Sequence, residues 1–197
     1  EVRRRFCSRS SSELPVIYGK SSLQVKMAPR LILIGPMGAG KTTIGQLCAK
    51  RLKLTFADTD QLIETERGAT ISQIFLDEGE EKFRLLEKKV LREQLLTDDI
   101  VLSLGGGAPV SIDAQSALRA ISSFIVFLDI SLSSVAPRIG FNRDRPLLLT
   151  NPRGQWQTLM QERRPIYDSL ADLKILVDGK SEVEICDEIL LSMAATS

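Results

Sequence analysis

Four short, mostly apolar runs and one mixed run punctuate this chain, and the stretches between them repeat their apolar positions at helical spacing. The first run, Arg-Leu-Ile-Leu-Ile from Arg30 to Ile34, is closed by Gly35, which predicts a strand buried on both faces of a parallel sheet. Ile44, Leu47, Cys48 and Leu52 follow at i, i+3, i+4 and i+8, the spacing of a helix that turns Cys48 into the core. Thr55 to Asp58 reads as a second strand, and a helical stretch from Asp60 breaks near Gly68. More helix is expected from about Ile71 to Leu96, interrupted around Gly79, with Phe83, Leu86, Val90 and Leu91 buried in its later half. Further strands are predicted at Ile100 to Leu104, Phe124 to Leu128 and Leu173 to Val177. A helix of roughly Gln155 to Leu170 precedes the last strand, and one of about Glu182 to Met193 follows it with Val183, Cys186, Leu190 and Met193 inward. Between Gly140 and Gly154 the chain is rich in Gly, Asn, Asp, Pro and Arg and reads as a mobile loop. Strands alternating with crossover helices give a three-layer α/β/α fold with a five-stranded parallel sheet, whose ligands belong at the carboxyl ends of the strands.

Composition narrows the chemistry. The chain has 197 residues, 43% of them hydrophobic and 26% charged, which suits one globular domain. The net charge of +1 conceals a basic tail: residues 1–26 sum to +4 and the remainder to −3. A basic excess confined to a tail is no footprint for nucleic acid, so none is expected as a partner. Residues 1–29 are expected to be an amino-terminal extension without fixed structure; Met27, directly before the first strand, is the favoured start, and an organelle transit peptide is the alternative. No stretch approaches the roughly 20 apolar residues of a membrane span. Cys7, Cys48 and Cys186 are odd in number and far apart, so they build neither a disulfide framework nor a metal site, and a reducing, cytoplasmic setting is expected. The chain contains no histidine, which excludes imidazole-based triads and histidine-bearing zinc sites.

Immediately after the first strand stands Gly35-Pro36-Met37-Gly38-Ala39-Gly40-Lys41-Thr42, a full G-x-x-x-x-G-K-[ST] match leading into a helix. Glycines let backbone N–H groups converge on phosphate oxygens, and the helix N-terminus adds positive potential where the anion sits. Lys41 is placed to neutralise the β- and γ-phosphates, and the Thr42 hydroxyl to meet Mg²⁺. The loop by itself says only that a nucleoside triphosphate binds. Downstream, Asp58-Thr59-Asp60 sets two carboxylates at period-two spacing on a strand tip, where they either reach the cleft or cap the next helix. Phe83-Arg84-Leu85-Leu86-Glu87 places Arg84 and Glu87 three apart on one helix face, opposite the buried stripe. Gly105-Gly106-Gly107 closes the third strand and permits close approach of a ligand to the backbone. Arg143-Asp144-Arg145-Pro146-Leu147-Leu148 and Arg163-Arg164-Pro165-Ile166-Tyr167 complete the set.

In this order, from about Arg30 to Met193, these motifs resemble the shikimate kinase family, which has the P-loop kinase fold. The resemblance implies an ATP-dependent transfer to the 3-hydroxyl of shikimate, with Mg²⁺ and, as for most of the family, a monomer. It implies that Gly38, Ala39, Gly40, Lys41, Thr42 and Thr43 bind nucleotide, and that Thr42 and Asp58 serve the metal. Lys41, Asp60 and Arg145 are the implied catalytic residues, with Asp60 taking the acceptor proton and Arg145 closing from a lid at about 140–154. Arg84 and Arg163 are expected to grip the shikimate carboxylate, Gly105, Gly106 and Gly107 to approach its hydroxyls, and Arg138 to pack on adenine near Lys180 to Glu182. Glu87 is expected to hold Arg84. Other small-metabolite kinases on the same scaffold, and a non-catalytic nucleotide-binding module, are the competing readings.

Overall fold

The computed structural model describes residues 28–139 and 151–196. Arg145, most of the lid and all of the amino-terminal extension up to Met27 lie outside the described residues. Five strands form where those runs stand: β1 (Leu31–Ile34), β2 (Thr55–Asp58), β3 (Ile100–Ser103), β4 (Phe124–Asp129) and β5 (Leu173–Leu176). All pair in parallel in the order β2-β3-β1-β4-β5. β1 lies in the middle, with Leu31 opposite Val101 on one side and Phe124 on the other. Every residue of β1 and β3 is buried, which is why their sequences do not alternate.

Seven helices are described: α1 (Lys41–Leu52), α2 (Thr59–Arg67), α3 (Ile71–Gln94), α4 (Ile112–Ala120), α5 (Leu132–Ile139), α6 (Pro152–Leu170) and α7 (Glu182–Thr196). From β1 the chain crosses outward to β2, then returns, and the step from β3 to β4 passes back across β1. Right-handed crossovers running in opposite directions put α1 on one face of the sheet and α3, α4 and α6 on the other. α7 joins α1, and Cys48 and Cys186, both fully buried, meet there with sulfurs 3.2 Å apart. The reversal opens a crevice at the carboxyl tip of β1, the place where sheets of this kind bind ligands. A second, smaller core of Ile63, Ile74, Phe83 and Val90 anchors α2 and α3 beside that crevice. The expected interruption of α3 is real: Gly79 leaves the helical conformation with φ 82° and ψ 167°.

Three expectations need correction. The loop reading fails at 151–154, because α6 begins at Pro152 with the Asn151 side chain accepting from the Gly154 N–H. Asn, Pro and Gly there start a helix; a proline at its first position loses no intrahelical bond. In α7 the buried stripe is Ile185, Cys186, Ile189 and Met193, while Val183 is 49% exposed and Leu190 only partly buried. Apolar residues occupy almost every side of that helix, so periodicity alone does not fix its rotation. Glu87 is buried alongside Phe83 instead of facing away from it.

Gly45 sets how closely α1 settles on the sheet. A Cβ there would sit 2.5 Å from Phe56 Cε2 and 3.2 Å from Leu33 Cδ1. Gly45→Ala is therefore expected to destabilise the fold by about 1–3 kcal/mol through overpacking, read as a lower urea midpoint at unchanged slope.

Candidate active site

The turn after β1 is organised by what holds its carbonyls. Lys41 Nζ donates to Gly35 O and Pro36 O, each at 2.9 Å. Trp156 Nε1, in the first turns of α6, donates to Met37 O at 3.2 Å, and Arg138 Nη1, at the end of α5, donates to Gly38 O at 2.8 Å. Four consecutive carbonyls are thus engaged. Gly40, at φ 85°, caps α1 in a left-handed conformation and leads directly into Lys41 and Thr42. Ala39 is buried beneath the turn, and Thr43, the third residue of α1, is exposed.

Asp58 joins this loop to the second motif. It is 7% exposed; one carboxylate oxygen caps α2 by accepting from Asp60 N at 3.0 Å, and the other accepts from Thr42 Oγ1 at 2.8 Å. One side chain thus caps α2 and holds the phosphate-loop threonine. Ser103, in register with Asp58 on the neighbouring strand, has a buried hydroxyl without a partner among the described residues. A buried orphan hydroxyl beside a carboxylate and a threonine oxygen is an all-oxygen set that fits Mg²⁺ with its water shell.

The three glycines after β3 each face a different charged side chain. A Cβ on Gly105 would overlap the Asp60 carboxylate, and one on Gly107 would overlap the Arg84 guanidinium. A Cβ on Gly106 would lie 3.5 Å from Arg163 Nη1. Asp60 comes from α2, Arg84 from α3 and Arg163 from α6, so three helices converge on three successive residues. Arg84 and Arg163 both line a cavity of about 610 Å³ bordered by Gly107, Ala108 and Glu87. The backbone is braced from outside: Thr59 Oγ1 accepts from Gly105 N at 2.8 Å, and the Tyr167 hydroxyl donates to Gly106 O at 2.6 Å.

Charge is balanced within the same space. Arg84 donates from Nη1 to Glu87 Oε2 at 2.7 Å and from Nη2 to Glu80 Oε1 at 3.0 Å. Burial opposes the charge on Arg84, but Glu87 and Glu80 outweigh it and hold the guanidinium above its ordinary range. Burial pushes the Glu87 carboxyl up, against the pull of Arg84. Burial likewise pushes the Tyr167 phenol up to about 12, with Arg163 opposing, so it remains a protonated donor.

The structure therefore brings Lys41, Thr42, Asp58 and Arg138 together at the first loop, and Asp60, Arg84, Gly105, Gly106, Gly107 and Arg163 at the second. Thr59, Ser103, Trp156 and Tyr167 were not assigned from the sequence. Trp156 and Tyr167 carried a signal nonetheless, since a buried indole or phenol needs a partner for its polar atom.

Comparison with known proteins agrees with this geometry. A model of the shikimate kinase family matches residues 37–194. The shikimate kinase of Streptomyces coelicolor is 42% identical over 163 residues, covering 83% of this chain and 94% of its own. Among solved structures, shikimate kinase from Acinetobacter baumannii in complex with shikimate superposes with a TM-score of 0.82 at 34% identity, covering 87% of this chain and 96% of that one. A gluconokinase from Sinorhizobium meliloti shares the fold at a TM-score of 0.57 and 17% identity. With its phosphate loop, its acidic strand tip and its glycine triplet flanked by two arginines, the chain belongs to the shikimate kinase family.

Proposed function

We propose that the chain moves the γ-phosphoryl group of ATP onto the 3-hydroxyl of shikimate, releasing ADP and shikimate 3-phosphate. The observation that carries this reading is the convergence of Asp60, Arg163 and Arg84 on Gly105, Gly106 and Gly107. A carboxylate beside two guanidinium groups suits a small polyol acid: the arginines pair with its carboxylate through planar forks, and Asp60 accepts the proton of the attacking hydroxyl. Gly38, Ala39, Gly40, Lys41, Thr42 and Thr43 hold the nucleotide phosphates. Arg138, already against Gly38, lies beside the base, and Arg145 completes the charge around the transferred group. Thr42 and Asp58 would hold Mg²⁺, which when bound neutralises charge across the β- and γ-phosphates. Phosphoryl transfer asks little covalent work of the protein, so positioning and charge stabilisation supply the rate. The enzyme acts as a monomer in the cytoplasm, a reducing setting that suits the buried thiols of Cys48 and Cys186. Residues 30–197 form its catalytic domain, and 1–29 an extension outside it.

A coupled ADP-release assay offering shikimate, gluconate and AMP tests the acceptor. Release is expected with shikimate alone; release driven only by gluconate or AMP would overturn the assignment. In the same assay Asp60→Asn is expected to lower kcat by at least about a hundredfold with little change in ATP binding, the size of a lost general base. Arg84→Ala is expected to raise the shikimate KM by roughly 10- to 100-fold, the loss of a charge-assisted hydrogen bond to the substrate. Gly105→Ala displaces only the end of the Asp60 side chain, so it should unfold near the wild-type midpoint yet lose most activity, whereas Gly107→Ala pushes Arg84 off its buried Glu87 partner and should lower both the midpoint and the activity. Wild-type turnover by either would show that Asp60 or Arg84 does not need its place over the glycine.

A further inference from the structure

We infer that Tyr167 is a positioning residue for phosphoryl transfer: with Thr59 it clamps the glycine triplet so that the Gly106 and Gly107 N–H groups, without a partner among the described residues, face the acceptor. This inference rests on the proposed kinase reading and deepens it.

The argument is a complete account of six backbone groups. Gly105 N–H donates to Thr59 Oγ1 at 2.8 Å, and Gly105 O accepts from Ala108 N at 3.0 Å. Gly106 O accepts from the Tyr167 hydroxyl at 2.6 Å, and Gly107 O accepts from Val110 N at 3.0 Å. Among the described residues no partner falls to the N–H groups of Gly106 and Gly107. They are adjacent donors in the segment that Arg163 and Arg84 approach most closely. Two consecutive N–H groups of this kind form a concave donor site suited to an oxygen ligand.

A run of three glycines has little conformational preference of its own, so the direction of those donors must be imposed. Thr59 fixes the peptide that carries Gly105 N–H from the α2 side, Ala108 N–H holds the next through Gly105 O, and Tyr167 from α6 fixes the peptide that carries Gly107 N–H. Tyr167 is fully buried, its ring 5.1 Å from that of Phe127 on β4, so the hydroxyl is held at the end of an immobile arm. Arg163, one turn earlier on α6, carries the positive charge that opposes the burial-driven rise of the phenol, and its guanidinium lies over Gly106. One hydroxyl thereby holds the stretch of glycine backbone over which Arg163 lies. Neither Thr59 nor Tyr167 is placed in contact with substrate, so both act through the loop.

Tyr167→Phe keeps the ring and removes the hydroxyl. The expected result is a shikimate KM raised about three- to tenfold, the range of a lost neutral hydrogen bond, with the ATP KM unchanged. Thr59→Val should move the same constant in the same direction, and Thr59→Ser, which keeps the oxygen, should restore it. Hydrogen exchange supplies a readout that needs no acceptor: amides of residues 104–110 should exchange faster in Tyr167→Phe, while those of β4 should not. Equal loss toward both substrates, no rescue by serine, or unchanged exchange at 104–110 would overturn the clamp. Failure of the wild-type protein to phosphorylate shikimate would instead overturn the kinase reading, and the exchange experiment would still decide whether Tyr167 holds the loop.

Discussion

The acceptor side of this molecule depends on absent Cβ atoms. Asp60, Arg163 and Arg84 approach the backbone of Gly105, Gly106 and Gly107 so closely that any side chain at the first or last glycine would collide with a charged group. That approach is possible because β3 ends in the middle of a parallel sheet, flanked by β1 and β2, so three helices can lean over its tip from different directions. Glycine here serves proximity more than left-handed geometry, since none of the three has the positive φ seen at Gly38 and Gly40. The two loops of the site thus use the same residue for different physical ends.

Electrostatics then limits what the cavity can hold. Two arginines facing one small space would repel each other and any cation, and a buried carboxylate without a partner would be costly. Glu87 offsets Arg84 from within the core, where breaking the pair is expensive, while Glu80 meets the same guanidinium at a position 57% exposed, where an ion pair contributes little. The guanidinium is therefore fixed in direction by its buried partner and only lightly engaged on its open side. An anion arriving from solvent meets a cation already oriented, and little conformational entropy remains to be lost.

The parts legible in the sequence were those in which a local pattern and its physical consequence coincide. β1, β3 and β4 announced themselves because strands buried on both faces are continuously apolar, and the phosphate loop because strand, glycines, lysine and helix must occur together. The break at Gly79 and the end of α2 at Gly68 were equally plain. Legibility failed where tertiary context overrode a local cue. Glu87 is a carboxylate, and nothing in its neighbours along the chain says that it will be buried while its partner Arg84 stays partly exposed. The inward face of α7 is decided by α1, against which it packs, and not by its own nearly uniform apolar sequence. Thr59 stood between two more conspicuous aspartates, and its role became visible only once Gly105 was found against it.

What remains is how the two halves of the site keep their distance, since in-line transfer requires the phosphate and hydroxyl to meet within a fraction of an ångström. The loops after β1 and β3 are separate turns on adjacent strands, and each is touched by the same helix. Near its start α6 holds Met37 O through Trp156, and farther along it holds Gly106 O through Tyr167. Those side chains stand eleven residues apart, about 16 Å along a helix axis. Both are almost completely buried, so neither contact can slide without moving the core around Phe127 and Met160. The two loops also meet directly, a Cβ on Gly106 falling 3.6 Å from Gly35 O and 3.7 Å from Met37 N, so pairing of β1 with β3, this contact and the two anchors of α6 act together on their separation.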